Sequence, residues 1–170
     1  MNKIVPGIHH LQLPLPVTGL KHVNIYLIQG NNGYLLIDTG WNTDEAFDSL
    51  KKQMAELDID FKDISQIVVT HIHPDHYGLA GRLKQLSQAK LLFHHLEENL
   101  IEPRYTNMGG LLAQLEHWLH ANGVITDELP QLQTASLGME KYVASVMPDV
   151  RLYGNEIIST GLFSFRVIWT

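Results

Sequence analysis

The chain contains no cysteine. That absence excludes disulfides, thiol nucleophiles, thiolate zinc cages and cysteine-bound iron–sulfur clusters together, and it leaves the redox compartment open. Basic residues are also few: 12 Lys and Arg stand against 18 Asp and Glu, a net charge of −6, and no basic run is longer than Lys51-Lys52. Such a chain has no electrostatic footprint for duplex nucleic acid. No stretch approaches the roughly 18 consecutive apolar residues of a membrane span. The opening residues Met1 to His10 have neither the apolar region nor the small-residue cleavage site of a secretory signal. The expectation is a cytoplasmic protein that acts on a small molecule and has no membrane partner; its charge does not argue for a nucleic-acid one.

What is present is the composition of a folded domain. With 45% hydrophobic and 18% charged residues over 170 positions, the chain can bury one core without staples. Ten histidines are the unusual count, and their placement decides what they mean.

The period of the apolar residues predicts an α/β order of elements. His9 to Leu13 reads as a strand. Val23, Ile25 and Leu27 alternate on one face, and Gly33 to Asp38 follows the turn signal Asn31-Asn32-Gly33, which predicts a hairpin. Phe47, Leu50, Met54 and Leu57 then fall at helical spacing, with Asn42 as N-cap and Glu45 as its capping-box partner. Ile64 to Thr70 is a short β-branched run, read as a buried strand that leads straight into His71-Ile72-His73-Pro74-Asp75-His76. A helix over Tyr77 to Gln88, a strand over Lys90 to Phe93 and a short helix over His95 to Ile101 come next. Two amphipathic patterns, Gly109 to Asn122 and Gln131 to Val146, predict helices stopped by Gly123 and Pro148. Strand signals return at Val150 to Tyr153, Glu156 to Ser159 and Leu162 to Trp169. The last of these ends at Thr170 with no segment to cap it, so the chain is expected to be part of a longer one.

The chemistry lies in residues 71–76, which place three imidazoles and a carboxylate within six positions. In extended backbone His71 and His73 point the same way, and Pro74 keeps His73 out of the helical region before the chain turns at Asp75 and His76. Nitrogen and carboxylate oxygen donors without thiolate suit Zn²⁺, Fe or Mn²⁺. Four donors are too many for one ion that must keep open positions, so two adjacent ions are expected. The bland alternative, surface histidines with Asp75 as a simple N-cap, leaves so dense a cluster at a strand end unexplained.

Thr70-His71-Ile72-His73-Pro74-Asp75-His76-Tyr77-Gly78 resembles the His-x-His-x-Asp-His signature of the metallo-β-lactamase superfamily. Upstream, Tyr34 to Gly40 resembles that family's strand ending in Asp-x-Gly. Downstream, Tyr153 to Ile157 and Phe165 to Thr170 resemble strands of its second half. The resemblance implies an αβ/βα sandwich, present here as an N-terminal portion of one domain over residues 1–170, with a helical insertion at about residues 103–147. It implies His71 and His73 as ligands of a first metal and Asp75 and His76 as ligands of a second. Asp38 supports them from behind, and Asp75 also aims the attacking water. Leu79 departs from the pattern, since many members carry a second glycine there. The family's remaining ligands lie beyond the strand ending at Thr170, so each of two zinc ions would hold only two of its ligands and the fragment alone is expected to be inactive. The intact protein is expected to hydrolyse an ester, thioester, lactone or related bond.

Three other readings compete. A non-catalytic metal-binding fragment is one, and an iron-dependent persulfide dioxygenase of the same fold is another. The triplet Asp38-Thr39-Gly40 also resembles that of aspartic proteases, but such a site needs a second carboxylate and explains neither the histidine cluster nor the long helices. Among the other histidines, His94-His95 reads as a solvated pair at a helix start facing Glu97-Glu98. His9, His10 and His22, and His117 with His120, read as surface residues. Trp118, Met139 and Tyr142 fit a core stripe, and Tyr105 and Met108 fit a pocket wall. An unfinished last strand with Trp169 on its edge predicts self-association or strand swapping of the fragment, as a homodimer or larger oligomer.

Overall fold

The computed structural model describes residues 2–16, 19–124 and 139–170, the side chains of residues 2–4 and 108 aside. Seven strands form one mixed sheet in which spatial order follows chain order. The first four, β1 (Asn2–Val5), β2 (Ile8–Pro14), β3 (His22–Gly30) and β4 (Gly33–Ile37), make an antiparallel meander. Next to β4 lie β5 (Ile64–Val68), β6 (Lys90–His94) and β7 (Val150–Leu152), all parallel to it. A separate hairpin, β8 (Ile157–Ser159) with β9 (Ser164–Arg166), follows.

Two apolar clusters show why these runs became strands. On one face Leu13, Val23, Ile25, Leu36, Ile67 and Leu91 are buried against α1 (Asp44–Ala55) and α3 (Ala80–Ser87), which contribute Ala46, Leu50, Met54 and Leu83. On the other face Ile28, Leu35, Leu92 and Leu152 meet Ile158, Phe163 and Phe165 of the β8–β9 hairpin. Strands β4, β5 and β6 are thus covered on both sides, and the unbroken apolar runs Leu35 to Ile37 in β4 and Leu91 to Phe93 in β6 follow from that. This is the α/β layering expected from the sequence, with helices on one face of the sheet and the hairpin on the other.

Local details differ from expectation. Helix α1 is capped by Thr43, whose side chain accepts from the Ala46 backbone N–H at 3.2 Å. Asn42, the expected cap, sits one residue too early, and its N–H donates instead to the Tyr142 carbonyl at 3.0 Å. The helix expected over Tyr77 to Gln88 resolves into α2 (Pro74–Tyr77) and α3, separated by Gly78 and Leu79. Between β6 and β7 come α4 (His95–Glu98), a π turn at Glu102–Thr106 and α5 (Met108–Ala121). Gly123 ends α5 as predicted: it takes φ 86°, and the N–H groups of Gly123 and Val124 return to the His120 and Leu119 carbonyls at 3.0 Å each.

Half of the second amphipathic pattern, residues 131–138, lies outside the described residues. Its remainder is not α-helical: Glu140–Tyr142 is a single 3₁₀ turn, and Val143 is already extended. Strand β9 is shorter than the alternation of Leu162 to Trp169 suggests. Trp118, expected in a core stripe, is 60% exposed on α5. Among the described residues no helix is long and apolar enough to cross a membrane.

Candidate metal centre

The parallel pair β4 and β5, in register with Ile37 beside Val68, carries two loops out of the same edge of the sheet. Asp38 leaves β4 and Thr70-His71 leaves β5, so residues more than thirty positions apart arrive side by side.

Asp38 is the hub. Its backbone is left-handed, at φ 63°, and its N–H still donates to the Val68 carbonyl at 2.8 Å. An aspartate tolerates this region better than most side chains. The carboxylate is buried, with 5% of the residue exposed, and is fully engaged. It accepts from the Thr70 N–H at 2.8 Å, from the Thr70 hydroxyl at 3.0 Å and from His76 Nδ1 at 2.7 Å. Burial of a carboxylate is tolerated only with such partners. Thr39 adds two bonds to the His76 carbonyl, from its N–H and from its hydroxyl, each at 2.8 Å.

The histidine segment is held from both sides. Ile72 is buried, and its N–H donates to the Glu97 carboxylate at 2.8 Å while its carbonyl accepts from the Tyr105 hydroxyl. His73 is extended at ψ 149°, and Pro74 opens α2 immediately after it. The backbone switch from strand exit to helix therefore falls between the two donor pairs. His71 Nε2 lies 3.1 Å from His73 Nδ1, and His76 Nε2 lies 3.3 Å from an Asp75 carboxylate oxygen. The His71 and His76 rings pack with centroids 4.1 Å apart.

The electrostatics follow from this crowding. Burial, together with the charges of His76 and His73, lowers the pKa of His71. For His76 burial also opposes the charged form, but its hydrogen bonds to the Asp38 and Asp75 carboxylates outweigh it and carry the pKa up to about 9. Asp75 is raised by burial and lowered more by its hydrogen bond and charge pairing with His76, ending below the ordinary carboxylate value. Asp38 fixes His76 with Nδ1 as the donor, which leaves Nε2 facing Asp75.

Among the described residues no three His, Asp or Glu side chains close on a single point; the donors come as two pairs. Zinc bonds of about 2.0–2.1 Å place neighbouring tetrahedral ligands about 3.4 Å apart, close to both separations. The donor chemistry and spacing thus fit divalent cations. A family model described as the metallo-beta-lactamase superfamily matches residues 18–153. The chain belongs to the metallo-β-lactamase superfamily.

Relatives in the superfamily agree with this frame. A probable metallo-hydrolase of Bacillus subtilis, YqjP, is 41% identical over 69 residues, which is 41% of this chain and 21% of that one. The metal-dependent hydrolase PH1671 of Pyrococcus horikoshii is 41% identical over 49 residues, 29% of this chain and 22% of that one. Among solved structures, the metallo-β-lactamase family protein TTHA1429 of Thermus thermophilus superposes with a TM-score of 0.79 at 28% identity, covering 99% of this chain and 53% of that one. The subclass B3 enzyme BJP-1 of Bradyrhizobium japonicum shares the fold with a TM-score of 0.66 at 17% identity, over 97% of this chain and 49% of that one. The chain therefore spans about half the length of these solved relatives.

The remaining histidines divide. His94 is buried at 6% exposure rather than solvated, because β6 ends inside the structure: its Nδ1 accepts from the Leu96 N–H at 3.3 Å, capping α4. Its ring stacks on Trp169 at 3.8 Å, and His95 stacks on Tyr153 at 4.6 Å. Glu97 turns to Ile72 and Glu98 pairs with Arg151, while the Glu98 carboxylate also lies close enough to His95 for their charges to interact. His22, His117 and His120 are exposed, as read from the sequence. His10 is half-buried against Tyr26 and bonds Asn24 at 2.8 Å. Sequence reading missed the clamp of Glu97 and Tyr105 on Ile72. The sequence suggests only a pocket wall for Tyr105, and no local pattern links either residue to position 72.

Proposed function

We propose that the whole protein is a metal-dependent hydrolase with a dinuclear centre, zinc being the first candidate. His71 and His73 would hold one cation and Asp75 and His76 the other, with Asp38 orienting His76. Bound there, the cations would supply hydroxide at neutral pH and polarise the electrophilic oxygen of the substrate. The chain's own residues prepare this. Asp38 and Thr39 immobilise His76, Glu97 and Tyr105 immobilise the peptide between the first pair, and Asp75 offers a carboxylate that accepts a hydrogen bond from the attacking water and so aims it. An ester, thioester, lactone or related bond is the substrate class this chemistry serves.

The observation that supports the reading most is the arrangement of two donor pairs, at 3.1 and 3.3 Å, around one buried aspartate. Elemental analysis of the purified natural protein, with hydrolysis of an ester and thioester panel before and after chelation, tests it. Two zinc ions per chain and activity that chelator removes and zinc restores are expected. Iron with oxygen consumption, in place of zinc with hydrolysis, would contradict it.

A further inference from the structure

Beside the donor pairs lies a cavity of about 500 Å³, within the size range of small-molecule pockets. His73 and Asp75 form part of its lining, so it opens on the candidate centre itself. Leu112, Leu115 and Met139 supply apolar wall, and Trp41 encloses it further. Trp41 is 6% exposed, and its indole N–H has no partner among the described residues. Helix α5 offers the cavity two half-buried leucines one turn apart, Leu112 and Leu115, while its opposite face is exposed.

We propose that this cavity is the specificity pocket of the hydrolase and takes a hydrocarbon group carried next to the scissile bond. The preferred substrates are then small amphipathic esters or thioesters with a medium-length apolar chain, while Arg104 and Tyr105 give the same cavity a polar edge for the rest of the molecule. The inference rests on the hydrolase reading above, and it adds the class of substrate.

The test uses the zinc-loaded natural protein and two ester series. One lengthens the acyl group from acetyl to decanoyl with p-nitrophenol as constant leaving group, and the other lengthens the alcohol of an acetate ester from methyl to decyl. In at least one series kcat/KM is expected to rise about threefold to fourfold per buried methylene. Independently of turnover, decanoate is expected to bind at least tenfold more tightly than acetate, followed by calorimetry. Leu115→Trp, which fills the cavity, and Leu112→Asp, which charges its wall, are expected to reduce the long-to-short ratio at least tenfold. Because Leu112 and Leu115 are half-buried on the helix, melting temperatures near wild type should confirm folding. Hydrolysis with no chain-length preference in either series, or full preference retained in both leucine variants, would overturn the pocket while leaving the hydrolase standing. Absence of metal and of hydrolysis in the wild type would overturn both.

Discussion

Asp38 concentrates the residue-scale argument, because one carboxylate joins β4, the exit of β5 and helix α2. Changing Asp38 to Asn keeps the volume but removes an acceptor that His76 Nδ1 and Thr70 share. Partners of this kind typically alter metal affinity by about 10–100-fold. We therefore expect Asp38→Asn to weaken zinc binding by that amount in a chelator competition, with a lowered melting temperature in the metal-free protein. Unchanged affinity would mean that Asp38 is a structural hub alone. The role of this aspartate was legible in the sequence only through the Asp-x-Gly resemblance, since nothing near position 38 announces the histidines. The local switch at Pro74 was legible from first principles, because proline restricts the residue before it. Glu97 and Tyr105 were not, for their contacts with Ile72 span 25 and 33 positions and arise only from tertiary packing. His94 was misread for a similar reason: two histidines at a helix start look solvated until the sheet edge closes over one of them.

Among the elements, the segment from Tyr142 to Val146 supports the site because it docks on the helix that carries Asp75 and His76. The Ala144 N–H donates to the Gly78 carbonyl at 2.8 Å, and the Gly81 N–H donates to the Ala144 carbonyl at 3.1 Å. The Tyr77 hydroxyl bonds both the N–H and the carbonyl of Val146, at 2.6 and 2.7 Å. A Cβ on Gly81 would stand 2.4 Å from the Ala144 carbonyl oxygen, and one on Gly78 would stand 2.6 Å from both the Gly40 and Tyr142 oxygens. Because backbone atoms cannot swing aside as a flexible side chain does, Gly81→Ala is expected to cost about 1–3 kcal/mol in urea unfolding. A neutral effect would show that the segment is only loosely apposed. Here apolar spacing misled: residues 139–146 carry a helical pattern, but the hydrogen bonds to Gly78 and Gly81 hold that stretch in a different backbone.

A second element-scale prediction concerns the junction of β6 and β7. Asp149 accepts from the Leu91 backbone N–H at 2.8 Å and from Lys84 at 2.7 Å, and these interactions lower its pKa. A carboxylate depressed in the folded state stabilises the fold above its ordinary pKa, and that contribution is lost as pH falls through the lowered value. Wild type and Asp149→Asn should therefore differ in melting temperature at pH 7 and converge as the pH is lowered below the usual carboxylate range. A difference that persists unchanged into acid would contradict the assignment.

For the whole molecule, the sheet explains why the site exists where it does. A meander leads into three parallel strands, and ligand sites in parallel sheets form beyond the carboxyl ends of the strands. The composition and the alternating apolar periods made that layering readable, because strands covered on both faces must be apolar throughout. What periodicity could not supply was the partition of the core into a helix-facing and a hairpin-facing cluster, or the cavity beside α5, which depend on how distant elements meet. The two donor pairs remain the centre of the account. Crystals of the zinc-loaded natural protein, measured on both sides of the zinc absorption edge, test it most directly. Two anomalous peaks are expected, one at bonding distance from His71 Nε2 and His73 Nδ1 and the other at bonding distance from Asp75 and His76 Nε2. A single peak, or zinc bound away from these four side chains, would contradict it.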